Sequence, residues 1–447
     1  MSANGASSSP EPSSKRVERL LKATPLIDGH NDFPFLLRQQ LHHQIYDHDL
    51  RDNLDCHTSV KKMRQGMMGG QFWSIYVPNP EEARLVVPDE DAESQENGAA
   101  TNGYHMLKSY EKKHTCGCEH IPANGGQRGK GLGLNEPNHC VRDTLEQIDV
   151  THRLIRAYPS DFTLCTKPAA VRKAHASGTI ASMLGIEGGH STGNSIPALR
   201  LFFDLGVRYM TLTHNSDTAF GTSWITVDPQ VPGAEDNGLS KFGEECVREM
   251  NRLGMLVDLS HVSHQTMRDA LKVARAPVIF SHSAAYSKTK IGRNVPDDVL
   301  QTVKQNGGVV MIPSVPFFLR ESTEGQGFTE IRATVDDYLD HVIYIANLIG
   351  WEHVGLGSDF DGCETTAEGL DDTSKWPNML ARLIERENVT DDQIRGLIGE
   401  NVLRVWEQAE KVAIEIQQAG AKPTEKHWEG RIWEPENFDV PRIYARK

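Results

Sequence analysis

The sequence predicts an α/β protein built as a (β/α)8 TIM-type barrel with a long surface insertion, and three observations carry that expectation. Short apolar runs recur eight times along the 447 residues, segments with helical spacing lie between them, and five of the runs end in residues able to bind a metal ion. Barrels of this kind build their sites from the loops at the C-terminal ends of the strands. A doubly wound sheet is the competing architecture. It favours a glycine-rich phosphate loop after its first strand, where this chain has Gly29, His30, Asn31 and Asp32 instead.

The expected strands are TPLID near residue 25, FWSIYV near 74, ASMLGIE near 184, VRYMTLTH near 210, MLVDLSH near 257, PVIFSHS near 280, GVVMIPSV near 311 and HVGLGSD near 355. Runs this short, with helices between them, fit buried parallel strands. Helices are expected over VRDTLEQIDVTHRLIRAY, GLSKFGEECVREMNRLG, SHQTMRDALKVARA, DDVLQTVKQNGG and VDDYLDHVIYIANLIG, and several of them end at glycine. Residues 1–15, rich in Ser and Pro, are expected to be a disordered tail. A single catalytic domain is expected over 16–410, with an irregular insertion at about 78–140 and an extension, 411–447, packing on the barrel.

Composition excludes several classes. A net charge of −14 without clustered Lys and Arg argues against nucleic acid as a partner. No run approaches the roughly 18 to 20 apolar residues of a membrane span. The first residues, MSANGASSSPEPSSKR, have no apolar leader core and the last, NFDVPRIYARK, no hydrophobic anchor tail, so a cytoplasmic chain without a membrane partner is expected. The seven cysteines are irregularly spaced and suggest no disulfide framework.

His30 and Asp32 stand two apart, so an extended backbone projects both to one side, where they can chelate one ion. Glu187 follows an apolar run and precedes two glycines, and a carboxylate with two oxygens can bridge two cations. His261 and His282 end successive runs 21 residues apart, the interval of a strand, a helix and the next strand. Asp359 follows its run directly and is favoured over Asp361. His214 also ends a run and can donate a hydrogen bond to a developing charge. Arg293 is suited to bidentate capture of a carboxylate, or to a surface ion pair with Asp297 or Asp298.

Taken in order, DGHND, GIEGGHS, LTHN, LVDLSHVS, PVIFSHSAAYS, GRNVPDDVL and GSDFDG closely resemble the motifs of the membrane (renal) dipeptidase family of the amidohydrolase superfamily, over most of the chain from about Pro25 to Val405. The resemblance implies two zinc ions per chain, one on His30 and Asp32, one on His261 and His282, with Glu187 bridging them. It also implies substrate or transition-state contacts from His214, Arg293 and Asp359, and a homodimer. The implied activity is zinc-dependent hydrolysis of dipeptides by water activated between the metals, with D-residues at the C-terminal position and Cys-Gly bonds among the substrates. The alternatives are a binuclear amidohydrolase acting on a β-lactam or other small amide, and an inactive metal-binding scaffold. Against the animal members, Asn79 and Ser216 stand where a disulfide pair is expected, Lys288 replaces another cysteine, and MIPSVPFFL differs from an aromatic-rich pocket wall.

Overall fold

The computed structural model describes residues 11–52, 54–79, 139–227, 235–323 and 326–429. Its strands are β1 (Leu26–Asn31), β2 (Met68–Tyr76), β3 (Phe162–Leu164), β4 (Ile180–Glu187), β5 (Val207–Thr211), β6 (Leu256–Asp258), β7 (Ile279–Phe280), β8 (Val309–Ile312) and β9 (Val354–Leu356). They form one sheet in the order β2-β1-β9-β8-β7-β6-β5-β4-β3, and β2 also pairs with β4. That extra pairing runs in parallel from Gly70↔Ala181 to Tyr76↔Glu187 and closes the ring. Eight strands therefore make a closed barrel, as the alternation of runs predicts.

The ninth strand, β3, lies outside that ring. It pairs with the first half of β4, Phe162↔Ile180 to Leu164↔Ser182, while β5 takes the second half of the same edge. No apolar run marks it, because Thr163 and Leu164 are exposed and only Phe162 is buried.

All five expected helices are present, as Cys140–Ala157, Lys241–Leu253, His264–Val273, Asp297–Asn306 and Val335–Ile349. Their ends have identifiable chemical causes. Ser240 and Ser263 accept the backbone N–H of Gly243 and Thr266, and Thr334 and Asp337 form a reciprocal capping box. Gly254 and Gly307 close two of these helices with φ of 81°, a conformation that costs other residues about 1 kcal/mol or more.

Two apolar regions hold the fold. Inside the barrel, Ile27, Phe72, Met183, Tyr209, Leu256, Ile279, Val309 and Met311 pack together with Val402, Leu403 and Trp406 of the last helix, Asn401–Gln418. Several of these barrel residues are the first or second of their strands, so this helix seals the N-terminal end, with Trp406 5.8 Å from Phe72 between ring centres. The larger region lies between the barrel and its outer helices.

The expected tail boundary at residue 15 falls inside the helix Ser13–Ala23, whose Val17, Leu20 and Leu21 are buried. The expected division at 410 likewise falls inside the last helix. Most of the 78–140 insertion lies outside the described residues, as does 430–447. Asn79, at the rim of that insertion, donates from Nδ2 to Ser216 Oγ at 2.5 Å, so a hydrogen bond stands where the resemblance implies a disulfide. Cys56, Cys140, Cys165, Cys246 and Cys363 are free thiols. Among the described residues no helix is long and apolar enough to cross a membrane.

Candidate active site

His30 lies within β1, Glu187 ends β4, and His261, His282 and Asp359 follow β6, β7 and β9 by two or three residues. Parallel pairing points all these strands the same way, so their ends share one rim of the barrel. Two of the residues sit in the left-handed backbone region, His261 at φ 67° and Asp359 at φ 62°. Such a conformation costs on the order of 1–3 kcal/mol and persists only where surrounding contacts over-determine it.

Glu187 is the centre of the cluster. Its Oε2 lies 3.3 Å from His30 Nε2, which is also 3.3 Å from Asp32 Oδ2. Its Oε1 faces the other way, 2.9 Å from His261 Nε2 and 3.3 Å from His282 Nε2. One carboxylate thus serves two separate donor groups, His30 with Asp32 and His261 with His282. Within each group the ligand atoms lie within 4.8 Å of one another, and His30, His282 and Asp359 form a third such set.

The donor set fits divalent cations. His30 Nε2 and Asp32 Oδ1 are buried without a hydrogen bond, although the first has two carboxylates beside it. The far nitrogen of each imidazole is engaged elsewhere. His30 Nδ1 meets the Tyr209 hydroxyl at 2.9 Å, His261 Nδ1 meets Asn215 Oδ1 at 3.3 Å, and His282 Nδ1 meets Ser281 Oγ at 2.8 Å. Nδ1–H donation to these partners leaves the Nε2 lone pairs facing one another and the carboxylates, as metal-binding histidines require.

Electrostatics agree. Burial, with Arg293 among the nearby cations, holds His261 and His282 well below the ordinary histidine value, so both are neutral ligands. Burial also depresses His30, but Tyr209, Glu187 and Asp32 outweigh it and hold the ring well above its ordinary value. That group attracts positive charge. Asp359 is pushed well above the carboxylate range by burial, with Asp32 and Glu187 adding to the effect. Bound cations would oppose that shift.

Arg293 is fully buried and makes one side-chain hydrogen bond, from Nη1 to Ser283 Oγ at 2.6 Å, with the Phe318 ring 5.2 Å away. Its Nε and Nη2 have no partner. Those two nitrogens share the edge that grips a carboxylate with parallel hydrogen bonds. The surface ion pair with Asp297 or Asp298 does not form: Asp298 pairs with Arg268, and Asp297 accepts from Tyr344. His214 reaches the cluster from the end of β5, its Nε2 3.7 Å from Glu187 Oε1. Asp361 turns away and accepts the His57 backbone N–H at 2.7 Å, which leaves Asp359 at the site.

Three supporting residues escape the sequence reading: Tyr209, Asp28 and Asp258. Asp28 Oδ1 accepts the backbone N–H groups of His30 and Ser358, joining the end of β1 to the loop after β9. Asp258 Oδ1 accepts those of Ser260 and Ser281, joining the loops after β6 and β7. The sequence holds a signal for both, since an Asp precedes the histidine in LIDGH and in LVDLSH.

A closed barrel with two carboxylate–imidazole groups at its C-terminal rim belongs to the metal-dependent hydrolase class of architecture. The membrane dipeptidase model, peptidase family M19, matches residues 14–420, and the chain belongs to that family of metallopeptidases. A Schizosaccharomyces pombe protein described as an uncharacterized dipeptidase is 42% identical over 424 residues, covering 94% of this chain and 88% of its own. A Rhodobacter sphaeroides metallo peptidase, solved with a phosphinate mimic of L-Ala-D-Ala, superposes with a TM-score of 0.68 at 24% identity, over 87% of this chain and 99% of that one. An amidohydrolase of Pseudomonas aeruginosa gives 0.61 at 20% identity over 88% and 98%. These two structural likenesses bear on the fold.

Proposed function

We propose that this chain is a binuclear zinc dipeptidase that hydrolyses dipeptides with a free C-terminal carboxylate. The observation that carries the substrate class is the unpartnered Nε–Nη2 edge of buried Arg293 beside the Glu187 cluster. A buried guanidinium with unused donors is costly unless a ligand anion meets it. The phosphinate dipeptide mimic seen in the Rhodobacter sphaeroides structure supports the same class, including a D-residue at the C-terminal position.

His30 and Asp32 would hold one cation, His261 and His282 the other, and Glu187 would touch both. When bound, such a pair supplies a nucleophilic water at neutral pH and polarises the scissile carbonyl. The chain's own groups do the rest. Arg293 fixes the carboxylate end, which limits the substrate to a short peptide. His214 Nε2–H donates to the oxygen that gains charge as the carbonyl carbon becomes tetrahedral. Asp359, whose carboxylate burial makes a stronger base than an exposed one, takes the proton of the attacking water and returns it to the leaving amine.

The test is purified protein, metal analysis, and a panel of dipeptides, dipeptide amides, tripeptides and a β-lactam. Two zinc ions per chain, turnover of dipeptides and its loss on chelation are expected. Hydrolysis of the β-lactam with no dipeptide turnover would replace this assignment, and a metal-loaded protein inert toward the whole panel would make the chain a scaffold.

A further inference from the structure

Arg293 arrives at the site on a segment that doubles back after β7. The Val295 N–H donates to Ala284 O at 2.8 Å, the Tyr286 N–H donates to Val295 O at 3.0 Å, and Asn294 Nδ2 ties the turn to Phe318 O at 2.8 Å. These bonds place the Arg293 backbone but leave a long side chain with several rotatable bonds. What fixes its head is Ser283, fully buried, whose Oγ accepts from Nη1.

Ser283 is itself held. Its hydroxyl donates to Ser260 Oγ at 3.2 Å, and the same Ser260 oxygen accepts the His282 backbone N–H at 3.1 Å. The guanidinium is therefore anchored to the loops that carry His261 and His282.

We infer that Ser283 is a positioning residue that sets carboxylate specificity: by holding Nη1 it presents the free Nε–Nη2 edge of Arg293 to the substrate carboxylate without neutralising the guanidinium. The inference rests on the carboxylate-binding role proposed above for Arg293. Its chemistry depends on a neutral acceptor. An Asp or Glu at this place would orient the guanidinium equally well, but it would cancel the charge and compete with the substrate for the same donors. Serine accepts one hydrogen bond and adds no charge.

The experiment compares wild-type, Ser283→Ala and Ser283→Cys enzymes, each loaded with zinc, on one dipeptide and on its C-terminal amide. Cysteine keeps the shape of serine with a somewhat larger atom and is a weak acceptor, so beside the smaller alanine it separates lost aim from lost packing. Wild type should prefer the free acid. Both variants should lower the acid-to-amide ratio of kcat/KM by about 10-fold or more, chiefly through KM for the acid, with bound zinc and thermal midpoint near wild type. A ratio unchanged in both variants overturns the inference, as does an equal loss on acid and amide accompanied by lost zinc, which would place the effect on His282. A wild-type enzyme with no preference for the acid overturns the reading of Arg293, and this inference falls with it.

Discussion

The Tyr209 hydroxyl lies 2.9 Å from Nδ1 of His30 and 3.2 Å from the Gly29 carbonyl. Its own proton goes to the carbonyl, so it accepts from His30 Nδ1–H and leaves Nε2 free for a cation. Tyr209→Phe keeps the ring and removes this partner. Zinc affinity or turnover should fall roughly 10- to 100-fold, read by chelator competition and by kcat at saturating zinc. Unchanged affinity and turnover would show that packing alone holds the His30 ring.

Gly185 makes room for that tyrosine, because a methyl group at this position would run into the Tyr209 ring. Gly185→Ala should therefore destabilise the barrel by about 1–3 kcal/mol and weaken zinc binding as well. Denaturant unfolding and zinc titration of one preparation measure both effects. A loss of stability with intact zinc affinity would separate Tyr209 from the metal group.

Arg293→Ala should lower kcat/KM for dipeptides by about 100-fold or more, since the two hydrogen bonds to a charged group contribute roughly 1.5–3 kcal/mol each. Metal content should stay at the wild-type level, and KM should carry most of the change. Unaltered dipeptide kinetics would remove Arg293 from substrate binding.

His214→Ala and Asp359→Asn should both act on kcat, the first by about 100- to 1000-fold as an oxyanion donor, the second by about 100- to 10,000-fold as a proton carrier. The pH–rate profile separates them. Only Asp359→Asn should abolish a limb of that profile, and a profile unchanged in shape would assign the proton transfer elsewhere.

His341 gives stability a pH dependence away from the site. Its Nδ1 accepts the Ala285 N–H at 3.0 Å and its Nε2 donates to Leu319 O at 3.0 Å, which fixes the neutral ring. Burial lowers its value from 6.5 to about 4. As pH falls below 6.5 the unfolded chain binds the proton first, so the stabilisation is complete above that pH and lost progressively down to about 4. Between pH 7 and pH 5 the unfolding free energy of wild type should drop about 2 kcal/mol further than that of His341→Gln. An equal drop in unfolding free energy for the two proteins, from urea titrations at both pH values, would refute this.

The eight barrel strands are legible because an apolar run announces each locally, and the residues gathered at the rim are legible because five of those runs end in His, Asp or Glu. The supporting residues were not. Asp28 matters through a bond to Ser358, 330 residues away, and Ser283 through a side chain ten positions on, so neither role is written in the spacing around it. β3 escaped because two of its three residues face solvent. The boundaries expected at 15 and 410 fall inside the helices Ser13–Ala23 and Asn401–Gln418, because helix formation there follows buried apolar faces, which composition averages away.

The first strand of the barrel meets the last where Asp28 of β1 pairs with Leu356 of β9, and the plug beneath is the helix Asn401–Gln418. Neither contact can form until synthesis has passed Leu356 and then Asn401. His30 and Asp32 wait for Asp359 and for Trp406, so the other barrel strands are all made before the first ligand pair can be enclosed. Ordering of the first ligand pair should therefore be one of the late events of folding, and a nascent chain halted before residue 400 has every histidine of the cluster yet lacks the helix that closes the floor beneath them.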